Sequence, residues 1–137
     1  MEPTGESKDT SPSRTILVVD DDPSCTSTLS ELLRCQGFEA VGVTSGTQAL
    51  LYIEEHGAPG LILLDLIMPE MGGIEVLSKV HEQYPNLPVC LITALYDERL
   101  LRAAFRLGAY DCVTKPMDFE YLKTTIAAKI PPVPFTA

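Results

Sequence analysis

Five short apolar runs, TILVV (15–19), FEAVGV (38–43), LILLD (61–65), PVCLIT (88–93) and DCVTK (111–115), alternate with five stretches of helical period. That alternation admits few folds. Runs rich in Val, Ile and Leu with little polar interruption suit strands covered on both faces. A strand, a helix and a second strand joined by short connections make a parallel pair through a right-handed crossover. Repeated along the chain, the unit builds a parallel sheet with helices on both sides. A chain of 137 residues is too short for an eight-fold barrel. The expected fold is therefore α/β, an open three-layer α/β/α sandwich.

Local signals set the helix ends. Asp22 is placed to cap a helix with Pro23 at its first position, carrying Cys25, Leu29, Leu32 and Leu33 on one side and stopping at Gly37. A second helix runs from about Thr47 to His56, with Ser45 as cap and Gly57 as stop. The stretch 73–84 ends before Pro85, the stretch 97–108 closes on Gly108, and Asp118 opens the last helix, within 118–130. Residues 1–13, rich in Ser, Thr, Pro and charge, read as a disordered lead. Residues 14–130 read as one domain, and 131–137 as a Pro-rich tail or the start of a linker.

Charge and composition exclude several roles. A formal net charge of −9 argues against nonspecific binding to DNA or anionic lipid, while leaving a basic protein surface open as a partner. No apolar stretch reaches the ~20 residues of a membrane helix, and the polar start has no secretory h-region, so a cytoplasmic location is expected. Cys25, Cys35, Cys90 and Cys112 form no CxxC pair and have no histidine at zinc spacing. They are expected to be reduced thiols, most of them buried as small hydrophobes.

In open parallel sheets, function gathers outside the carboxyl ends of the strands. Asp20 and Asp21 follow the first strand, Asp65 ends the third, Thr93 the fourth and Lys115 the fifth. The second strand ends in VTSG, with no charge. With the first and third strands adjacent, Asp20, Asp21 and Asp65 converge. Three such acids need counter-charge to stay ionised. Lys115 supplies one positive charge, and a divalent cation would supply the rest. Oxygen-only ligands favour Mg²⁺ over zinc. Asp22 is assigned to the helix cap. His56 and His81 fall toward helix ends, away from the strand edge, and read as solvated.

The ordered set ILVVDDDP, LLDLIMP, LITA and VTKP resembles the receiver domain of two-component response regulators, the chemotaxis-regulator-like fold, over roughly residues 14–130. The resemblance implies a flavodoxin-like five-stranded parallel sheet of order 2-1-3-4-5. It implies that Asp65 accepts a phosphoryl group from the phosphohistidine of a histidine kinase or histidine phosphotransfer protein, with Mg²⁺ as cofactor. Asp20 and Asp21 match the acidic pair, Asp21 being the more direct metal ligand, and the backbone carbonyl of Ile67 matches a further ligand. Thr93 matches the hydroxyl that turns toward the phosphoryl oxygens, and Lys115 the amine that pairs with them. The Lys115–Pro116 bond matches one that the family often makes cis. Output through the helix 4–strand 5–helix 5 face is implied, to an effector domain, a separate partner or a phosphorylation-dependent homodimer. No chemistry beyond self-directed phosphoryl transfer and slow autodephosphorylation is implied.

The chain departs from the pattern in places. Cys112 stands where the family usually has a Tyr or Phe that moves with the strand-four hydroxyl, and Tyr110 lies two residues earlier. Ile67 and Leu95 occupy positions that are often polar. Apolar side chains there should shield the phosphoryl group and slow its hydrolysis. The segment between Asp65 and Thr93 is shorter than usual, which trims a loop. Arg99, Arg102 and Arg106 share one stripe of the fourth helix, either a solvated face or part of the output surface. An aspartate-nucleophile phosphatase would need a second acid where Ile67 stands. A flavodoxin-like cofactor binder would want an anion-binding loop after strand one, and DDDP would repel a phosphate. A receiver-shaped interaction module that is never phosphorylated remains the alternative.

Overall fold

Every residue of Leu61–Leu64 is buried on both faces, which fixes this strand at the centre of the sheet. The computed structural model describes residues 13–68, 71–94 and 97–130. Elements run β1 (Thr15–Val19), α1 (Pro23–Cys35), β2 (Glu39–Val43), α2 (Gly46–His56), β3 (Leu61–Leu64), α3 (Gly73–Gln83), β4 (Val89–Thr93), α4 (Glu98–Arg106), β5 (Asp111–Thr114) and α5 (Phe119–Ala127). All four strand pairings are parallel and their order is β2-β1-β3-β4-β5, the expected topology. The lead up to residue 12, the tail 131–137 and Leu95 lie outside the described residues.

Strand alternation divides the core in two. Ile16 and Val18 of β1 face Leu29 and Leu33 of α1 and Leu122 and Ile126 of α5. Leu17 and Val19 face Ala49 and Ile53 of α2, Val76, Leu77 and Val80 of α3, and Ala104 of α4. Each fully buried Leu or Ile contributes about 2 kcal/mol of transfer free energy, so these layers dominate the packing. β2 is an edge strand, with only Ala40 buried.

Side-chain caps begin four helices. Asp22 accepts from the Ser24 N–H, Ser45 from Gln48, Asp97 from Arg99 and Leu100, and Asp118 from Glu120 and Tyr121. α2 starts at Gly46, one residue earlier than expected, because Ser45 is itself the cap. α3 has Gly72 at its cap with no side-chain bond.

Two expectations need correction. Of the four cysteines only Cys90 is buried; Cys25 and Cys112 are half-buried and Cys35 is exposed at the last residue of α1. His81 is not fully solvated: it is half-buried against Gly108. A Cβ on that glycine, which has φ +103°, would fall 2.6 Å from the imidazole. Among the described residues no helix is long and apolar enough to cross a membrane.

Candidate functional site

The ends of β1 and β3 bring two carboxyl groups side by side through backbone bonds that prolong the sheet. The Asp20 N–H donates to the Val43 carbonyl (3.2 Å) and the Asp65 N–H to that of Val19 (2.9 Å). Each carboxyl is then held in the same way. Oδ1 of Asp20 accepts from the Asp22 N–H (3.0 Å), and Oδ1 of Asp65 from the Ile67 N–H (3.1 Å). Lys115 Nζ spans the two remaining oxygens, 2.7 Å from Asp20 Oδ2 and 3.2 Å from Asp65 Oδ2. Both aspartates are 7% exposed, so one ammonium faces two nearly dry carboxyls.

Asp21 points into solvent yet completes the cluster. Carboxylate oxygens of Asp20, Asp21 and Asp65 lie within 4.8 Å of one another. This all-oxygen set, with an excess of acid over Lys115, has the donor chemistry of a hard dication such as Mg²⁺. Asp22 stays out of it. Its carboxylate caps α1 at Ser24 (2.9 Å) and meets the Cys25 thiol (3.4 Å), as the sequence suggested.

The electrostatics follow from burial. Desolvation pushes the Asp65 carboxyl above its ordinary range, against the Ile67 N–H and the Lys115 charge, with Asp20 adding to the rise. Burial pulls the other way on Lys115, but its bonds to Asp20 and Asp65 win and raise it above the usual lysine value, so it stays charged. Burial, then the Asp22 bond, raises the Cys25 thiol, which lowers its thiolate fraction.

The other predicted residues are arranged around this centre. Thr93 is fully buried at the end of β4, and its carbonyl accepts from the Lys115 N–H (2.8 Å), tying β5 to β4 beside the cluster. The Lys115–Pro116 bond, whose isomer the sequence left open, is cis. The Ile67 backbone sits against Asp65 while its side chain is 51% exposed. Gly73 lets α3 approach this turn, since a Cβ there would lie 2.5 Å from the Asp65 carbonyl oxygen.

Cys112 pairs with Leu91 in β5–β4 and packs half-buried against the core beneath α2, α3 and α4. Tyr110 does not stand in for the missing aromatic. Its hydroxyl donates to the Thr125 carbonyl of α5 (3.3 Å), and the Lys129 ammonium lies 4.8 Å from its ring centroid. Arg99, Arg102 and Arg106 are all exposed on α4, and Arg102 pairs with Glu98 at 3.1 Å.

One further feature lies beside the cluster. A cavity of about 360 Å³, lined by Cys25, Leu29, Leu32, Ile92 and Met117, opens beside Asp20, Asp65 and Lys115. The apolar side of α1 was legible, and Leu32 is 41% exposed at this mouth. The juxtaposition with Met117 depends on the path of the β5–α5 connection and has no local signal.

Comparison with known proteins identifies the family. The sequence model described as the response regulator receiver domain matches residues 16–127. The transcriptional regulatory protein ZraR of Escherichia coli (strain K12) is 39% identical over 111 residues, which are 81% of this chain and 25% of that protein. The DNA-binding response regulator MtrA of Mycolicibacterium smegmatis is 38% identical over 115 residues, 84% of this chain and 50% of that protein. The chain thus spans between a quarter and half of the length of these relatives. Among solved structures, Vibrio cholerae chemotaxis protein CheY4 aligns with a TM-score of 0.79 at 26% identity, covering 85% of this chain and 98% of that one. With a matching sheet order and a family match across the folded core, the chain belongs to the response regulator receiver domain family.

Proposed function

We propose that this domain is the phosphoacceptor of a two-component or phosphorelay pathway, taking a phosphoryl group from a phosphohistidine onto Asp65. The observation that carries the reading is the Lys115 ammonium shared between Asp20 and Asp65 beside Asp21. In the transfer, an Asp65 oxygen forms a bond to phosphorus as the phosphorus–nitrogen bond to the donor breaks, and the donor imidazole, protonated on its other nitrogen, leaves as the neutral ring. A carboxylate attacking an anionic phosphoryl group needs charge neutralised more than it needs a base. Lys115 neutralises part of that charge. Asp20, Asp21, Asp65 and the Ile67 carbonyl would hold Mg²⁺, which supplies the remaining positive charge. Thr93 would turn its hydroxyl to the new phosphoryl group and pass the change to the α4–β5–α5 face, where Arg99, Arg102 and Arg106 would meet a partner, an effector domain or a second copy.

Incubation with a small phosphodonor, with Mg²⁺ or with chelator, tests the reading by intact mass. A phosphoryl adduct that needs Mg²⁺ is expected. Its absence would favour the rival reading, a receiver-shaped interaction module that is not phosphorylated. The exposed Ile67 side chain beside the acceptor supplies no polar group to guide water. Ile67→Glu is expected to shorten the lifetime of the adduct about tenfold, a change of ~1.4 kcal/mol in the barrier. Loss of adduct followed over time by mass measures this, and an unchanged lifetime would remove Ile67 from the account.

A further inference from the structure

A second polar concavity lies in the seam between α1 and the edge strand β2, and shares no lining residue with the acceptor cluster. It measures about 220 Å³ and is lined by Thr26, Ser27, Ser30, Arg34 and Gly42. Its floor holds an anomaly. Ser30 is 2% exposed, yet its hydroxyl has no hydrogen-bond partner among the described residues. A buried hydroxyl left without a partner costs about 1–3 kcal/mol, so most find one. The neighbouring Thr26 does, donating to the Pro23 carbonyl at 3.0 Å.

The other walls are built around the same space. Arg34 donates from Nε (3.1 Å) and Nη2 (2.8 Å) to the Ala40 carbonyl, which pins the planar guanidinium at the rim. Nη1 is not used in those bonds, so the fixed fork retains donors. Gly42 keeps the seam open. A Cβ there would sit 3.1 Å from both Ser30 Oγ and Thr26 Cβ. Gly42 is an ordinary residue of β2 with no positive φ, so backbone conformation does not account for a glycine at this place.

We propose that this seam binds a small oxyanion, a phosphate or carboxylate group, through the Ser30 and Ser27 hydroxyls and the Arg34 guanidinium. The lining offers an arginine and hydroxyls and no acidic side chain. An acceptor-rich anion satisfies such a set and gains charge-assisted bonds, whereas an organic cation would find no counter-charge. A water molecule could satisfy Ser30 alone but would make no use of the arginine. The site is independent of chemistry at Asp65.

The test is a titration of the Mg²⁺-free domain, followed through backbone amide NMR shifts, with inorganic phosphate in one arm and acetate in the other. Sodium chloride at matched ionic strength is the control. Saturating shifts centred on Ser27, Ser30, Arg34 and Gly42 are expected, and the tighter-binding arm identifies the oxyanion. Ser30→Ala and Arg34→Gln should each weaken binding about tenfold, and Gly42→Ala should abolish it, with Mg²⁺-dependent phosphorylation unchanged in all three. Shifts no larger than those with chloride, or equal in Gly42→Ala, would overturn the proposal and leave a water-filled seam. Because Mg²⁺ is absent and Asp65 is untouched, neither result bears on the phosphoacceptor reading.

Discussion

Lys115→Ala is expected to destabilise the metal-free domain by about 3 kcal/mol, the usual cost of removing one partner from a buried ion pair. Both carboxylates that Lys115 spans are less than a tenth exposed, and Lys115 itself is only 26% exposed, so solvent cannot replace the lost ammonium cheaply. Thermal unfolding in chelator should register a fall on the order of 10 °C. The same substitution should strengthen Mg²⁺ binding, because the lysine charge repels a dication placed among Asp20, Asp21 and Asp65. Millimolar Mg²⁺ should therefore recover more stability in the variant than it adds to the wild type, by the ordinary linkage of binding to folding. Phosphorylation by a small donor should fall sharply even with Mg²⁺ restored, since the amine is then missing from the phosphoryl oxygens. An unchanged unfolding midpoint in chelator would show that Lys115 does not balance this cluster.

Asp65→Asn is expected to do the reverse to stability while abolishing the chemistry. In the native domain Asp65 is a nearly dry carboxylate beside Asp20, and burial already disfavours its charged form. An amide of the same shape still accepts from the Ile67 N–H and leaves Lys115 its shorter bond, to Asp20. The metal-free variant should gain about 1 kcal/mol and unfold a few degrees higher, a common gain where a functional site stores repulsion. It should take up no phosphoryl group and lose most of the stabilisation by Mg²⁺. A variant less stable than wild type in chelator would mean that the bond from Lys115 to Asp65 outweighs the repulsion.

The position of the candidate site was legible because strand-end residues announce themselves. An apolar run stops at a charged residue, and a parallel sheet collects such ends along one edge. That logic places Asp20, Asp65, Thr93 and Lys115 at one edge from the sequence alone. It also separated Asp22, whose position before Pro23 marked it as a cap, from its two neighbours. The division of labour between Asp20 and Asp21 was less accessible. Successive side chains leave the backbone in different directions, and only the fold shows Asp20 buried on Lys115 while Asp21 faces water. Burial of the cysteines differs from expectation for a related reason. Cys35 is apolar in type but ends α1 beside Gln36 and Gly37, where the helix no longer covers the sheet. Tyr110 could not be placed from its number alone, since its hydroxyl bond crosses to α5. The α1–β2 seam depends on an absent side chain at Gly42 opposite Ser30, a pairing invisible until helix and strand are packed.

The central claim is that Asp65 carries the phosphoryl group, and chemical trapping at that residue tests it most directly. An aspartyl phosphate is an activated acyl group, and borohydride reduces it to the alcohol, converting the labelled aspartate to homoserine. After incubation with a small phosphodonor and Mg²⁺, reduction and peptide mass mapping should place homoserine at position 65. The conversion should be absent in chelator and in Asp65→Asn. Conversion at Asp20, Asp21 or any other carboxylate in the wild type, or none at all with Mg²⁺ present, would contradict the account.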